Sequence, residues 1–152
     1  MRIVIAAVGR AKPGPARALF EDYARRLPEK IELREVEERR PLSVPERRRR
    51  EAARLRAAVP EGAVVVALDA GGRGLSSVAF ARVMADWRES GRRAVVFMIG
   101  GADGIDPALV ADADVVLSLG AMTWPHLLVR GMLAEQLYRA HAIQSSHPYH
   151  RA

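Results

Sequence analysis

Apolar residues fall along this chain in two alternating rhythms. Continuous runs rich in β-branched residues occupy 2–8 (RIVIAAV), 63–68 (AVVVAL), 94–99 (AVVFMI) and 114–117 (DVVL). A weaker, alternating run at 31–36 (IELREV) sets Ile31, Leu33 and Glu35 on one face. Uninterrupted apolar runs mark strands covered on both sides, as in a parallel sheet. Between them the apolar positions recur at helical spacing. Residues 15–27 turn Ala18, Leu19, Tyr23 and Leu27 inward, with Pro28 as the stop, and 44–59 carry a thin stripe of Ala52, Leu55 and Val59. Residues 77–90 direct Val78, Phe80, Ala81, Met84 and Trp87 inward, with Ser76 or Ser77 as N-cap and Gly91 just past the end. Residues 126–142 carry Leu128, Met132, Leu133, Leu137 and Tyr138. Strands alternating with helices predict one doubly wound α/β domain over 1–152. Only the tail, 143–152 (IQSSHPYHRA), leaves the rhythm; it is polar and broken by Pro148, so the pattern alone predicts a disordered end.

Length and composition agree with that reading. A chain of 152 residues buries about 70% of the surface its unfolded form exposes, enough for a core without staples. There is no cysteine, which removes disulfides, thiolate metal sites and cysteine nucleophiles. The opening apolar run, Ile3 to Val8, is too short for a signal-peptide core or a membrane span, so a cytoplasmic protein is expected. The formal charge of +6 is carried by 22 arginines against two lysines, Lys12 and Lys30. A positive surplus favours an acidic partner such as nucleic acid, although arginine-rich, lysine-poor usage also follows from a GC-rich genome. The densest block, Arg47 to Arg50, reads as a solvated helix face with Glu46–Arg50 and Arg47–Glu51 pairs, or as a phosphate-contacting surface.

Candidate chemistry gathers where strands end in glycine. Leu68-Asp69-Ala70-Gly71-Gly72-Arg73-Gly74 follows one strand and Ile99-Gly100-Gly101-Ala102-Asp103-Gly104 another. Open parallel sheets bind ligands at these carboxyl ends, where glycine permits close backbone approach. Neither loop has the G-x-G-x-x-G dinucleotide spacing, and no phosphate loop exists, which weakens the nicotinamide oxidoreductase and nucleotidase readings. A third loop, Ser118 to His126, joins a strand to a helix that Pro125 begins, and offers apolar walls with backbone donors and acceptors. His126, His141, His147 and His150 lack nearby acidic partners at ligand spacing, so no metal is expected. A hydrolytic triad of Ser118, Asp69 and a histidine lacks the G-x-S-x-G elbow.

The strand end Val66 to Gly72 (VALDAGG), the loop at 99–104 (IGGADG), the segment at 118–140 (SLGAMTWPHLLVRGMLAEQLYRA) and the terminal 147–151 (HPYHR) together resemble the RlmH family. These are SPOUT-class enzymes that methylate N3 of a pseudouridine in the 23S RNA of the large ribosomal subunit. The resemblance runs the length of the chain. It implies a Rossmann-like parallel sheet with a deep C-terminal trefoil knot, a homodimer, S-adenosylmethionine as cofactor and an assembled ribosomal particle as substrate. Carried over by position, it implies cofactor contacts from Leu68, Gly101, Gly120, Ala121, Met122, Thr123, Trp124 and Pro125. It assigns Tyr149, His150 and Arg151 to the substrate side, the tail of one subunit completing the other's site. In that scheme Arg151 stabilises the uracil anion, His150 or a water takes the N3 proton, and Tyr149 stacks on the base or holds the tail. RNA is expected to be met through Arg130, Arg139 and the arginine-rich helix. Rival readings are a non-catalytic ribosome-binding member of the same fold and a related enzyme acting on transfer RNA.

Overall fold

A computed structural model describes residues 1–151. In chain order its elements are β1 (Arg2–Val8), α1 (Pro15–Arg26), β2 (Ile31–Val36), α2 (Val44–Ala57), β3 (Val64–Gly74), α3 (Ser77–Glu89), β4 (Ala94–Ile99), α4 (Pro107–Asp112), β5 (Val115–Ser118) and α5 (His126–Gln144). Among the described residues the strands form one parallel sheet in the order β2-β1-β4-β3-β5. Alternate residues of each strand feed two cores. Ile3, Ile5, Val66, Val95 and Phe97 pack with Phe20, Phe80, Met84, Leu133 and Leu137 of α1, α3 and α5. Val4, Ala6, Val96 and Met98 meet Ala52, Leu55 and Leu109 of α2 and α4 on the opposite face. The unbroken apolar runs of β1 and β4 have this cause, since each strand is covered on both sides.

Local signals set most boundaries. Ser43 accepts the Glu46 N–H and Ser76 the Ala79 N–H as N-caps of α2 and α3, and Gly91 takes φ +78° beyond α3. The structure departs from the pattern at several points. Ala18 and Val78 are exposed, and Phe20 is the buried aromatic of α1. The helix α4 was not predicted; six residues with Leu109 as their buried member are too few to show a period. The strand β3 runs on to Gly74 through an irregularity in which Leu68 and Arg73 both face Leu117 of β5. At Gly72 a Cβ would lie 2.6 Å from the Val116 carbonyl oxygen, so only glycine lets the excursion sit against β5. Finally, the tail turns at Ser146 (φ +57°) and is seated on α5 through Tyr149 and His150.

Candidate functional site

Because β4, β3 and β5 are neighbours, the turns that follow them converge at one edge of the sheet. They enclose a cleft of about 230 Å³ whose walls include Leu68, Asp69, Ile99, Gly101, Leu119, Gly120, Met122, Thr123, Trp124 and His126. Its surface is mainly apolar, and among the described residues neither arginine nor lysine lines it. A larger cleft of about 600 Å³ lies on the other side of the same Ser118–Gly120 turn, between α1, α3 and α5. Only the smaller one is built from all three glycine turns.

Each turn has a local reason for its shape. After β4, the Gly104 N–H returns to the Gly101 carbonyl at 3.0 Å, with Gly104 at φ +79°. A Cβ on Gly100 would lie 2.7 Å from the Gly104 carbonyl carbon, and one on Gly101 would meet Val8 at 3.0 Å and the Glu51 carboxylate at 3.1 Å. Glycine at 101 therefore also suits the tight side-chain packing beneath the turn, whatever ligand lies above it. After β5, Gly120 at φ +111° lets its N–H reach the Ser118 hydroxyl at 3.1 Å, while that hydroxyl donates to the Gly120 carbonyl at 3.2 Å. In the irregular stretch of β3, the Asp69 carboxylate accepts the Gly71 N–H at 2.9 Å.

Of the predicted cofactor positions, Leu68, Gly101, Gly120, Met122, Thr123 and Trp124 line the cleft; Ala121 and Pro125 are exposed and do not. Met122 is 74% and Trp124 40% exposed, and the indole N–H of Trp124 donates to the Leu119 carbonyl at 3.3 Å. The sequence reading missed Asp69 and His126 as lining groups. Burial, and then the charge of Arg130, hold the His126 imidazole below its ordinary pKa, so it is neutral at neutral pH. Its signal was present: it is the first helical residue after the third loop.

The predicted substrate-side residues sit elsewhere in the chain's own frame. Tyr149 donates its hydroxyl to Glu135 at 2.9 Å and lies 3.1 Å from the Tyr23 hydroxyl. Its ring packs edge-on to Tyr138 at 4.7 Å and under the Arg139 guanidinium at 4.8 Å. His150 approaches Arg139 at 3.4 Å, and Arg151 is exposed. At 1.5 Å per residue, Glu135 and Arg139 stand about 9 and 15 Å along α5 from Val129, which also lines the cleft. None of Tyr149, His150 and Arg151 lines the cleft of its own chain.

One of the expected RNA contacts is corrected. Arg130 is 1% exposed, pairs with Glu35 at 2.7 Å and donates to the Val8 and Gly9 carbonyls at 3.1 and 2.7 Å. Arg139 is half-buried and pairs with Glu135 on its own helix. The pairing expected within the arginine-rich helix also differs. Arg47 turns to Asp103 at 3.5 Å and to the Leu42 carbonyl, while Glu51 is buried, its carboxyl pushed up by desolvation. Among the described residues there is no cluster of three or more histidine and carboxylate side chains suited to a metal ion, and no helix is long and apolar enough to cross a membrane.

Comparison with known proteins places this geometry. The family model described as "Predicted SPOUT methyltransferase" matches residues 1–150. A protein of Paramagnetospirillum magneticum named ribosomal RNA large subunit methyltransferase H is 58% identical over 151 residues, covering 99% of each chain. Proteins of the same name from Rhodospirillum centenum and Rhodospirillum rubrum are each 55% identical over 152 residues, covering 100% of both chains. The chain belongs to the SPOUT methyltransferase family, in the RlmH branch that these relatives define.

Proposed function

We propose that this protein methylates N3 of a pseudouridine in 23S ribosomal RNA, drawing the methyl group from S-adenosylmethionine and working in the cytoplasm as a homodimer on the assembled large subunit or ribosome. The observation that carries the reading is the lining of the strand-end cleft. Apolar walls from Leu68, Ile99, Leu117, Leu119, Met122 and Trp124 suit an adenine ring, and the turn backbones offer hydrogen bonds to its edge. The Asp69 carboxylate is matched to ribose hydroxyls or an ammonium group, whereas a phosphate would find no cation there. When bound, the cofactor supplies an electrophilic methyl group on a sulfonium.

The protein's own residues must then hold the base and manage its proton. Uracil N3 is a poor nucleophile until its proton leaves. An arginine against the neighbouring carbonyl oxygens stabilises the anion that results, and Arg151 is the exposed candidate. His150, or a water, is the candidate proton acceptor. Tyr149 fits the anchoring role better than stacking on the base, because its hydroxyl and ring are both engaged on α5.

The distance between tail and cleft within one chain supports a site shared between two subunits. Further support comes from Met122 and Trp124, large apolar side chains of the cleft loop left exposed. A trefoil knot in the C-terminal part belongs to this reading through the family.

The test is incubation of unmodified large subunits and ribosomes with the protein and methyl-labelled cofactor, followed by mapping of the labelled base. Label on a 23S pseudouridine is expected; label on transfer RNA alone, or none, would replace the reading. In the same assay Arg151→Ala is expected to lower turnover at least 100-fold, in line with loss of an anion-stabilising donor. Cofactor affinity measured by calorimetry should change less than twofold. Unaltered turnover would remove Arg151 from the chemistry.

A further inference from the structure

With Arg130 buried and Arg139 half-buried against Glu135, exposed arginines gather around a groove beside β2. A groove there is lined by Arg10, Glu35, Glu37, Glu38, Arg39, Arg40 and Arg54, together with Val36 and Pro41. Two carboxylates organise it. Glu37 accepts from Arg10 at 3.0 Å and from Arg39 at 2.9 Å. Glu38 accepts from Arg40 at 2.9 Å and from Arg54 at 3.5 Å. Glu35 is already matched by Arg130, so four guanidiniums face two carboxylates, a surplus of two positive charges. The guanidiniums remain outward, with side-chain exposures of 67% for Arg10, 79% for Arg39, 54% for Arg40 and 51% for Arg54. Glu38, by contrast, is only 2% exposed in its side chain, and hydrogen bonds from Arg40 pull its carboxyl down to about 2. It stays ionised at any working pH and fixes its arginines in place.

This arrangement is built to share its cations. Each guanidinium carries five N–H donors in a planar fork, and Arg10 and Arg54 each give one nitrogen to their glutamate. The remaining donors point to solvent from positions already fixed, which lowers the ordering cost of a phosphate contact.

The groove also opens beside the candidate active site. Gly9, just past β1, precedes Arg10; a Cβ on it would lie 3.3 Å from the His126 imidazole that lines the cleft. Glu35 in the groove wall and Arg130 behind the cleft are joined by their ion pair. Groove and cleft thus share the node formed by Gly9, Arg130 and His126.

We propose that the Arg10–Arg39–Arg40–Arg54 groove docks the phosphate backbone of the RNA strand whose base is presented to the cleft. This rests on the methyltransferase reading for the identity of the strand, and it places RNA contact on residues different from Arg130 and Arg139. Phosphates bridge neighbouring arginines and displace counterions, so binding weakens with salt in proportion to the contacts made.

The experiment compares the intact protein, Arg10→Gln/Arg39→Gln, and a control, Arg82→Gln/Arg92→Gln, which removes equal charge from exposed positions away from the groove. Binding to unmodified large ribosomal subunits is measured across a salt series, with cofactor titration and thermal unfolding as checks of the fold. The groove variant is expected to bind at least tenfold more weakly, its log K against log salt slope flatter by about 2, with cofactor affinity unchanged and the control like the intact protein. Equal behaviour of the two variants, whether both lose affinity or neither does, would overturn the proposal, as would failure of the intact protein to bind the subunits. Should the intact protein bind through the groove but transfer no methyl group, the methyltransferase reading falls and the groove stands. Transfer that persists with groove-independent binding has the reverse meaning.

Discussion

Replacing Arg130 by methionine is expected to lower unfolding stability by about 3 kcal/mol, the cost of removing one partner from a buried ion pair. For a domain of this size that corresponds to roughly 6–12 °C in the thermal midpoint. The reason lies in what the guanidinium satisfies. It is 1% exposed, pairs with Glu35 and serves the carbonyls at the end of β1, tying α5 to the two strands at that edge. Methionine preserves much of the volume but leaves the Glu35 carboxylate and both carbonyls short of a donor. The double variant Arg130→Met/Glu35→Gln should recover part of the loss, which would separate an uncompensated charge from a packing defect. Additive losses in the two single variants would show that the pair is not coupled.

The same pair sets an acid limit. Burial pushes the Glu35 carboxyl up, but hydrogen bonds from the Ala11 N–H and Arg130 outweigh it, and the folded-state pKa is lowered. A lowered carboxyl pKa stabilises the fold fully above the unfolded-state value, and the contribution disappears as pH falls through the folded-state value. Stability of the intact protein should therefore fall below about pH 4 more steeply than that of Glu35→Gln, as measured by denaturant midpoints.

The second large effect is expected at Gly100. A Cβ there would press on the Gly104 carbonyl carbon at 2.7 Å and on Ile105 at 2.8 Å, so the turn must open to accept Gly100→Ala. Backbone cannot step aside as a flexible side-chain end can. Since this turn forms one wall of the cleft, cofactor affinity should drop at least 100-fold, about 2.7 kcal/mol. The sheet would remain folded. Gly120→Ala makes the useful comparison. Its Cβ would meet open space, but φ +111° is strained for alanine, at a cost of about 1–3 kcal/mol. Titration of both variants with S-adenosylmethionine checks the order; a Gly100→Ala protein that binds like the intact chain would show that the turn yields cheaply.

The sheet was readable because its central strands β1 and β4 are short apolar runs covered on both sides, and because Ser43, Ser76, Pro28 and Gly91 punctuate the helices. Strand order was not readable, since no residue pattern distinguishes β4 from β5 as the neighbour of β1. The inward positions failed where a charged or small residue held the place. Glu35 sits on an apolar face because Arg130, 95 positions away, comes to meet it. That partnership also hid the burial of Arg130, which in sequence looks like any other surface arginine. The cofactor loop was legible from its glycines and the family motif, while Asp69 and His126 became visible as lining groups only once the turns were folded together. The tail looked disordered because its anchor is polar: Tyr149 is held by Glu135, Tyr23 and Arg139 and not by an apolar stripe.

That anchor has a consequence for how activity is counted. With the tail seated about 9–15 Å of helix away from the cleft of its own chain, each polypeptide on the proposed reading owns two incomplete halves of a machine. A subunit whose glycine turn is spoiled can still lend a sound C-terminus, and one with a spoiled C-terminus can still lend a sound turn. Mixing two inactive variants should then regenerate working sites in the hybrids that form, whereas diluting the intact protein until its subunits part should silence it.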